Sequence, residues 1–174
     1  MARIIGYPKP EEYTGYVEKY IQLAQAEDLI EGLTASYSFI AGLMQGLSEE
    51  QLKHRYEPGK WSIKEVLVHM LDSERIFSYR ALRFARQDKT ALPGFDENKF
   101  VAPSKADARD INSILAEYTA VRTATIELFK SFDEEALEQK GVGSGLELSV
   151  RALGYTILGH EIHHLKVIRE RYLS

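Results

Sequence analysis

The 174-residue sequence contains no cysteine, and this absence narrows the chemistry that the chain can perform. Without thiols it can form no disulfide bond, has no cysteine nucleophile and offers no thiolate ligand to a metal. Histidines and carboxylates are therefore the side chains from which a metal site could be built. The chain has five histidines, and three of them fall within residues 160–164.

Neither an excess of basic charge nor a long apolar run is present. The 22 Lys and Arg residues are outnumbered by 26 Asp and Glu residues, and the net charge of −4 provides no electrostatic footprint for nucleic acid. No segment approaches the roughly 18 apolar residues of a membrane span. Residues 1–10 also lack the apolar stretch of a signal peptide. We therefore expect a cytoplasmic protein with neither nucleic-acid nor membrane partners.

An alternating strand pattern is also missing, and so are internal repeats. Apolar residues recur instead at steps of three and four, which predicts amphipathic helices. The length suits a single domain over residues 1–174, and we expect an all-α four-helix bundle with short accessory helices after an irregular lead-in over residues 1–10. The predicted helices cover residues 11–24, 29–47, 62–86, 107–132 and 149–174, with a short helix from Ser48 and a flexible break at 141–145.

One helix start and one connection carry the clearest local signals. Ser62 followed by Glu65 forms a capping box, and Trp61 can pack on Val66 across it, so a structural role accounts for the single tryptophan. The connection at residues 87–106 is long for a compact bundle. It is either a crossover along the bundle or a lid over a site.

The histidines of the last predicted helix point to a metal site. His160 and His164 are four residues apart and share the inward face, and His69 lies on the inward side of the helix at 62–86. Three such imidazoles could hold one cation about 2 Å from each nitrogen, if the two helices are antiparallel. A hydrogen-bonded polar network is the alternative, and the spacing permits a metal site without requiring one. His163 falls on a polar face and His54 among surface residues, so we expect neither to be a ligand.

Two competing motifs fit less well. Residues 160–164 match the H-E-x-x-H pattern of zinc proteases, in which Glu161 would be the general base. Only ten residues follow, and the metzincin positions for glycine and the third histidine hold Val167 and Glu170. A ferritin-like di-iron site would need a second E-x-x-H unit, but Val68 stands at the position three after Glu65.

Three segments together resemble the DinB/YfiT-like family, and the resemblance extends over residues 11–173. They are PGKWSIKEVLVH at 58–69, RIFSYRALR at 75–83 and GHEIHH at 159–164. The resemblance implies a four-helix bundle of DinB/YfiT type with a long crossover between the second and third core helices, and a homodimer. It also implies one divalent metal ion per chain, zinc or nickel, held by His69, His160 and His164.

Characterised members of this family include S-transferases that use low-molecular-weight thiols such as bacillithiol. The resemblance therefore implies a metal-dependent S-transferase whose partners are a small-molecule thiol and an electrophile. A metal-bound thiol is deprotonated and can attack an electrophile, and Arg80, Arg83 and Tyr155 could bind an anionic thiol. The alternatives are a metal-dependent hydrolase that uses a metal-bound water with Glu161 as base, and a non-enzymatic metal-binding stress protein.

Overall fold

Four long helices pack side by side in a computed structural model, which describes residues 4–173. The helices are α1 (Glu18–Ile21), α2 (Leu29–Gln45), α3 (Glu49–Lys53), α4 (Ile63–Ala85), α5 (Glu97–Ser104), α6 (Ile111–Lys130), α7 (Glu134–Glu138) and α8 (Val150–Val167). Short 3₁₀ turns span Pro10–Glu12, Gly15–Val17 and Ala106–Ala108, and a π-helical turn at Ile168–Tyr172 extends α8. Each of α2, α4, α6 and α8 contacts two of the others, which confirms the four-helix bundle. Within the described residues, no helix is both long and apolar enough to cross a membrane.

The long connection between α4 and α6 is a crossover between the second and third core helices, as predicted. Residues 86–110 contain the short helix α5 and the 3₁₀ turn at Ala106–Ala108. The crossover is held to the rest of the fold near its start, because the Leu92 amide donates to the Val142 carbonyl at 2.9 Å and the Ser144 amide donates to the Leu92 carbonyl at 3.1 Å.

The prediction of a flexible break at residues 141–145 is wrong. Strands β1 (Lys140–Gly143) and β2 (Leu146–Ser149) pair there as an antiparallel hairpin, with Lys140 opposite Ser149 and Gly143 opposite Leu146. The two residues between the strands, Ser144 and Gly145, both have positive φ, at 54° and 77°. A two-residue hairpin turn requires this backbone conformation, and glycine adopts it without strain.

The predicted helix at 11–24 is also wrong in extent. Gly15 has φ of +72°, in the left-handed region, so an α-helix cannot continue through it. The segment forms two 3₁₀ turns before the four-residue helix α1. The lead-in is irregular from Ile4 to Lys9, whereas Met1–Arg3 lie outside the described residues. Its Ile5 is buried, and the Ile5 carbonyl accepts a hydrogen bond from the Leu29 amide at 3.0 Å.

The first residues of α4 and α6 are capped by neighbouring side chains. The capping box at Ser62 is confirmed, because its Oγ accepts from the Glu65 amide at 3.1 Å and its own amide donates to Glu65 Oε2 at 2.8 Å. Helix α6, predicted to start at residue 107, starts instead at Ile111, where Asp110 is the N-cap. The Asp107 carboxylate instead accepts hydrogen bonds from Ser62 Oγ and from Arg55 Nη2, the latter at 2.7 Å.

A polar layer halfway along the bundle divides the apolar core into two clusters. Phe84 of α4 and Leu153 of α8 belong to one cluster, and Val66 of α4 and Leu165 of α8 belong to the other. Between the clusters, the long helices contribute buried polar side chains: Glu74 from α4, Arg122 from α6, and His160 and Glu161 from α8. The candidate site lies in this layer.

Candidate metal centre

Three histidines converge between α4 and α8. His69 Nε2 lies 3.1 Å from His160 Nε2, and His164 Nε2 lies 3.1 Å from the same atom. One ring nitrogen from each histidine can be chosen so that all three lie within 4.8 Å of one another. The structure thus brings together the three residues that the sequence selected, and this set could hold a metal ion.

The antiparallel packing of α4 and α8 produces this convergence. Trp61, just before α4, and Tyr172, at the end of the π-helical turn after α8, are joined by a hydrogen bond of 2.8 Å from the tyrosine hydroxyl to the Trp61 carbonyl. The start of α4 therefore lies beside the end of α8. His69, six residues into α4, consequently meets His164, three residues before the end of α8.

Close packing against α1 supports His160, the central histidine of the three. The ring of Tyr20 contacts the ring of His160 edge-on at 5.2 Å between centroids. This approach needs a glycine at position 159, because a Cβ there would lie 1.8 Å from the Tyr20 carbonyl oxygen. His160 itself is buried, whereas His69 and His164 keep a partly exposed edge.

Burial keeps these imidazoles neutral. It lowers the pKa of His69 to about 4 and that of His164 to about 3, in the latter case helped by the charge of His69. Burial, followed by the neighbouring histidines, also lowers the pKa of His160 well below its usual range. At pH 7 each ring therefore carries one protonated and one unprotonated nitrogen, and the latter has a lone pair for a ligand bond.

Hydrogen bonding alone cannot satisfy this cluster. The Nε2 of a neutral imidazole is either a donor or an acceptor, never both. His160 Nε2 lies 3.1 Å from two other Nε2 atoms, so it would have to donate one proton to two acceptors or accept two protons on one lone pair. A cation bound by all three lone pairs removes this conflict. The geometry therefore favours a metal over the polar network that the sequence left open.

Glu161 takes part in a different structure on the far side of its helix turn. Its carboxylate accepts hydrogen bonds from the Tyr118 hydroxyl and from both Nη atoms of Arg122, with Nη1 at 3.1 Å from Oε1. Glu74 also accepts from Arg122, at 3.0 and 2.9 Å, and the Leu33 carbonyl accepts at 2.8 Å. Both oxygens of Glu161 are thus engaged, and its role as a general base stays a prediction that these contacts do not favour.

The structure does not bring the predicted thiol-binding residues to the histidines. Arg80 lies 11 residues after His69 on α4, about 16 Å along the helix axis. It is buried and donates to the Pro93 carbonyl at 2.9 Å and to Ser144 Oγ at 2.8 Å, so it ties the crossover to the hairpin. Arg83 pairs with Asp88.

Tyr155 is likewise engaged away from the histidines. Its single hydroxyl proton is within hydrogen-bond reach of two carbonyl oxygens, that of Ile5 at 2.9 Å and that of Ala26 at 3.1 Å, so the side chain ties the lead-in to α8. The assignment of Arg80, Arg83 and Tyr155 to a thiol stays a prediction.

A cleft opens beside His164, and sequence reasoning missed most of its lining. Its volume is about 360 Å³, and its walls come from the loop before α4, from α5 of the crossover and from the end of α8. His163, expected on a solvated face, is in fact half-buried and lines this cleft. The other lining residues are Tyr56, Gly59, Lys60, Trp61, Val66, Asn98, His164, Val167 and Tyr172. A polar residue in a connecting segment, such as Asn98, gives no sequence signal for such a position.

The family is settled by a comparison with known protein families. The model of the DinB superfamily matches residues 32–168, which include all three histidines and all four long helices except the first three residues of α2. The chain belongs to the DinB superfamily. The resemblance noted from the sequence is thereby confirmed.

Curated relatives and a solved structure extend this comparison. A protein from Oceanobacillus iheyensis is 26% identical in an alignment that covers 72% of this chain and 73% of that protein. A protein from Geobacillus thermodenitrificans is 28% identical in an alignment that covers 84% of this chain and 87% of that protein. Both are named as candidate metal-dependent hydrolases. The solved structure is YfiT from Bacillus subtilis, described as a probable metal-dependent hydrolase with an unusual four-helix bundle topology. It superposes with a TM-score of 0.67 at 18% identity and covers 95% of this chain and 94% of its own, which shows that this DinB-superfamily chain shares its fold.

Proposed function

We propose that this DinB-superfamily protein binds one divalent metal ion, zinc or nickel, through His69, His160 and His164, and that it is a metal-dependent S-transferase. The proposed metal site rests on one observation: three Nε2 atoms converge and cannot all be satisfied by hydrogen bonds to one another. Three neutral imidazoles leave the full charge of the ion in place and leave a coordination position open, as in catalytic rather than structural sites.

The contacts of Glu161 support a thiol as the nucleophile. A bound metal supplies positive charge that stabilises a thiolate, and a free thiol already has a pKa near 8.5, so its activation needs little help from a protein base. Activation of water needs more help from a protein base, and the carboxylate of Glu161, the nearest candidate in sequence, already accepts hydrogen bonds from Arg122 and Tyr118. A low-molecular-weight thiol such as bacillithiol, attacking an electrophile, is therefore the reaction we propose.

Hydrolysis is the second candidate, and a specific observation favours it. The curated relatives from Oceanobacillus iheyensis and Geobacillus thermodenitrificans carry names of candidate metal-dependent hydrolases. A metal held by three histidines can lower the pKa of water to about 7 without an adjacent carboxylate. The same metal site thus serves either reaction, and the two differ in the nucleophile that the open position accepts.

The metal is tested first. We expect elemental analysis of purified, untagged protein to find about one zinc or nickel ion per chain, and we expect His160→Ala to lose it. His163→Ala is the matched control, because it removes a neighbouring histidine that is not among the three converging ligands. Equal metal content in the wild type and His160→Ala would refute the site.

The reaction is tested on the metal-loaded protein. Conjugation of monochlorobimane is followed with bacillithiol, glutathione and cysteine in turn, and hydrolysis is followed with a panel of nitrophenyl esters. Thiol conjugation that disappears in His160→Ala supports the S-transferase. Ester hydrolysis without thiol dependence would support the second candidate, and metal binding without either activity would support a non-enzymatic metal-binding protein.

A further inference from the structure

The cleft beside His164 has two features that the metal site does not explain. The first is an aromatic wall of two tyrosines and a tryptophan. The rings of Tyr56 and Tyr172 pack edge-to-face at 4.8 Å between centroids, and Trp61 follows on the same loop as Tyr56. Trp61 also contacts the ring of His69 at 4.8 Å, so this wall continues to the metal ligands.

The second feature is a cation at the rim. Lys60 lines the cleft and is exposed, and its Nζ lies 5.9 Å from the centre of the Tyr56 ring. Within residues 4–173, no ion pair between this ammonium and a carboxylate is found, whereas Arg55 on the same loop is occupied by Glu65 and Asp107. A ligand that enters the cleft could therefore place an anionic group beside Lys60.

Both features point to one ligand class. We propose that this cleft binds the organic substrate, a small molecule with a flat apolar or aromatic body and an anionic group that pairs with Lys60. The proposal rests on the proposed function, because it places the reacting end of that molecule against His164. The volume of about 360 Å³ falls within the range of small-molecule sites, about 300–1,000 Å³.

The ligand is oriented by the asymmetry of the cleft. Its apolar body would lie on the rings of Tyr56, Trp61 and Tyr172, which offer contact at low conformational cost. Its anionic group would lie at the rim with Lys60, where the side chain amide of Asn98 from α5 can also donate a hydrogen bond. The other end would then face the half-buried side chain of His164.

The single tryptophan makes the test direct. Because Trp61 is the only tryptophan of the chain and lines the cleft, quenching of its fluorescence reports occupancy there. The probes are 4-nitrobenzoate and its neutral analogue 4-nitrobenzamide, titrated at low salt into full-length protein stripped of metal with a chelator. We expect saturable quenching by both, with the carboxylate binding about threefold to fivefold more tightly, as suits one exposed ion pair.

Two substitutions in the cleft, each with a control elsewhere on the surface, assign the contacts. Lys60→Met is expected to lower the affinity for 4-nitrobenzoate to that for 4-nitrobenzamide. Lys130→Met is the control, because this exposed lysine lies outside the cleft lining, and it should change the affinity for neither probe. Tyr56→Ala is expected to weaken both probes about fivefold or more, and Tyr79→Ala, at an exposed tyrosine outside the lining, should weaken neither.

The outcomes separate this proposal from that of the metal. Absence of saturable quenching in the metal-free protein would overturn the proposal that the cleft binds the organic substrate, whether or not the protein binds a metal. Retention of the carboxylate preference in Lys60→Met would overturn the role of Lys60. Conversely, saturable and charge-dependent binding in a protein that holds no metal would uphold the cleft while the proposed function fails.

Discussion

His69 and His160 lie 91 positions apart in the chain, yet their Nε2 atoms are 3.1 Å apart between α4 and α8. Two neutral imidazoles at this separation form at best one hydrogen bond, and the third imidazole, His164, lies equally close to the same atom. The cluster therefore has the spacing that one cation bound by all three rings requires.

Metal-linked stability follows from this arrangement. We expect zinc at about one hundred times its Kd to stabilise the folded protein by about 2.7 kcal/mol, because the unfolded chain does not assemble the three ligands. For a chain of this size the midpoint of thermal unfolding should rise by about 5–11 °C. His69→Ala should abolish most of this rise and His163→Ala should retain it, as measured by thermal unfolding with and without zinc. Equal shifts in all three proteins would contradict the three-histidine site.

The same histidines should make the metal-free protein sensitive to acid. The pKa of His69 is lowered to about 4 and that of His164 to about 3 by burial, whereas both are near 6.5 in the unfolded chain. Between pH 6.5 and pH 4 the unfolded state therefore binds more protons, and stability falls as the pH is lowered through this window. Between pH 7 and pH 5 each histidine lowers the free energy of unfolding by at most about 2 kcal/mol. The loss is smaller than this bound to the extent that both side chains remain partly exposed.

This acid sensitivity is measured by chemical denaturation at several pH values in the presence of a chelator. The double variant His69→Ala/His164→Ala removes both groups and should lose stability less steeply between pH 7 and pH 5 than the wild type. Titrating carboxylates are common to both proteins, so the difference in slope isolates the histidines. Parallel profiles would show that the two histidines are protonated equally in the folded and unfolded states.

Local chemistry explains why much of this molecule could be predicted. The spacing of His160 and His164 fixes them on one helix face whatever surrounds the helix, and the capping box at Ser62 depends on a residue three positions away. The length of the connection at 87–106 allowed either a crossover or a lid, and the family resemblance favoured a crossover between the second and third core helices. These features need only short stretches of sequence or a motif to specify them.

Long-range contacts explain what could not be predicted. Asp107 and Asp110 are both residues that favour a helix N-cap; Asp110 caps α6, whereas Asp107 accepts a hydrogen bond from Arg55, 52 residues away. The edge of the hairpin at 140–149 also pairs with Leu92 of the crossover, which is distant from it in sequence. A sequence pattern cannot weigh contacts of this kind, although one signal was present: Arg122 falls on the apolar face of α6 and had to have a buried partner.

That partnership yields a stability prediction. Arg122 is 2% exposed and holds the two buried carboxylates of Glu74 and Glu161. Arg122→Met would leave both carboxylates buried without their cation, and we expect it to lower the free energy of unfolding by about 3–5 kcal/mol. Arg75→Met is the control, since Arg75 pairs with Glu117 near the surface, and it should cost at most about 1 kcal/mol. Urea denaturation measures both, and equal losses would argue against the buried network.

The packing of α1 on α8 gives the last prediction, which contrasts two glycines. At Gly159 an added Cβ would lie 1.8 Å from the backbone oxygen of Tyr20, whereas at Gly42, on the exposed side of α2, nothing lies within 4 Å. Gly42→Ala should therefore stabilise the protein by about 0.5–1 kcal/mol through helix propensity. Gly159→Ala should destabilise it by about 2 kcal/mol or more, because backbone cannot move aside as a side chain can.

Since Tyr20 also packs on His160, Gly159→Ala should weaken zinc binding as well, and calorimetric titration of both variants checks this. Stabilisation by Gly159→Ala would show that α1 does not pack on α8 as closely as described.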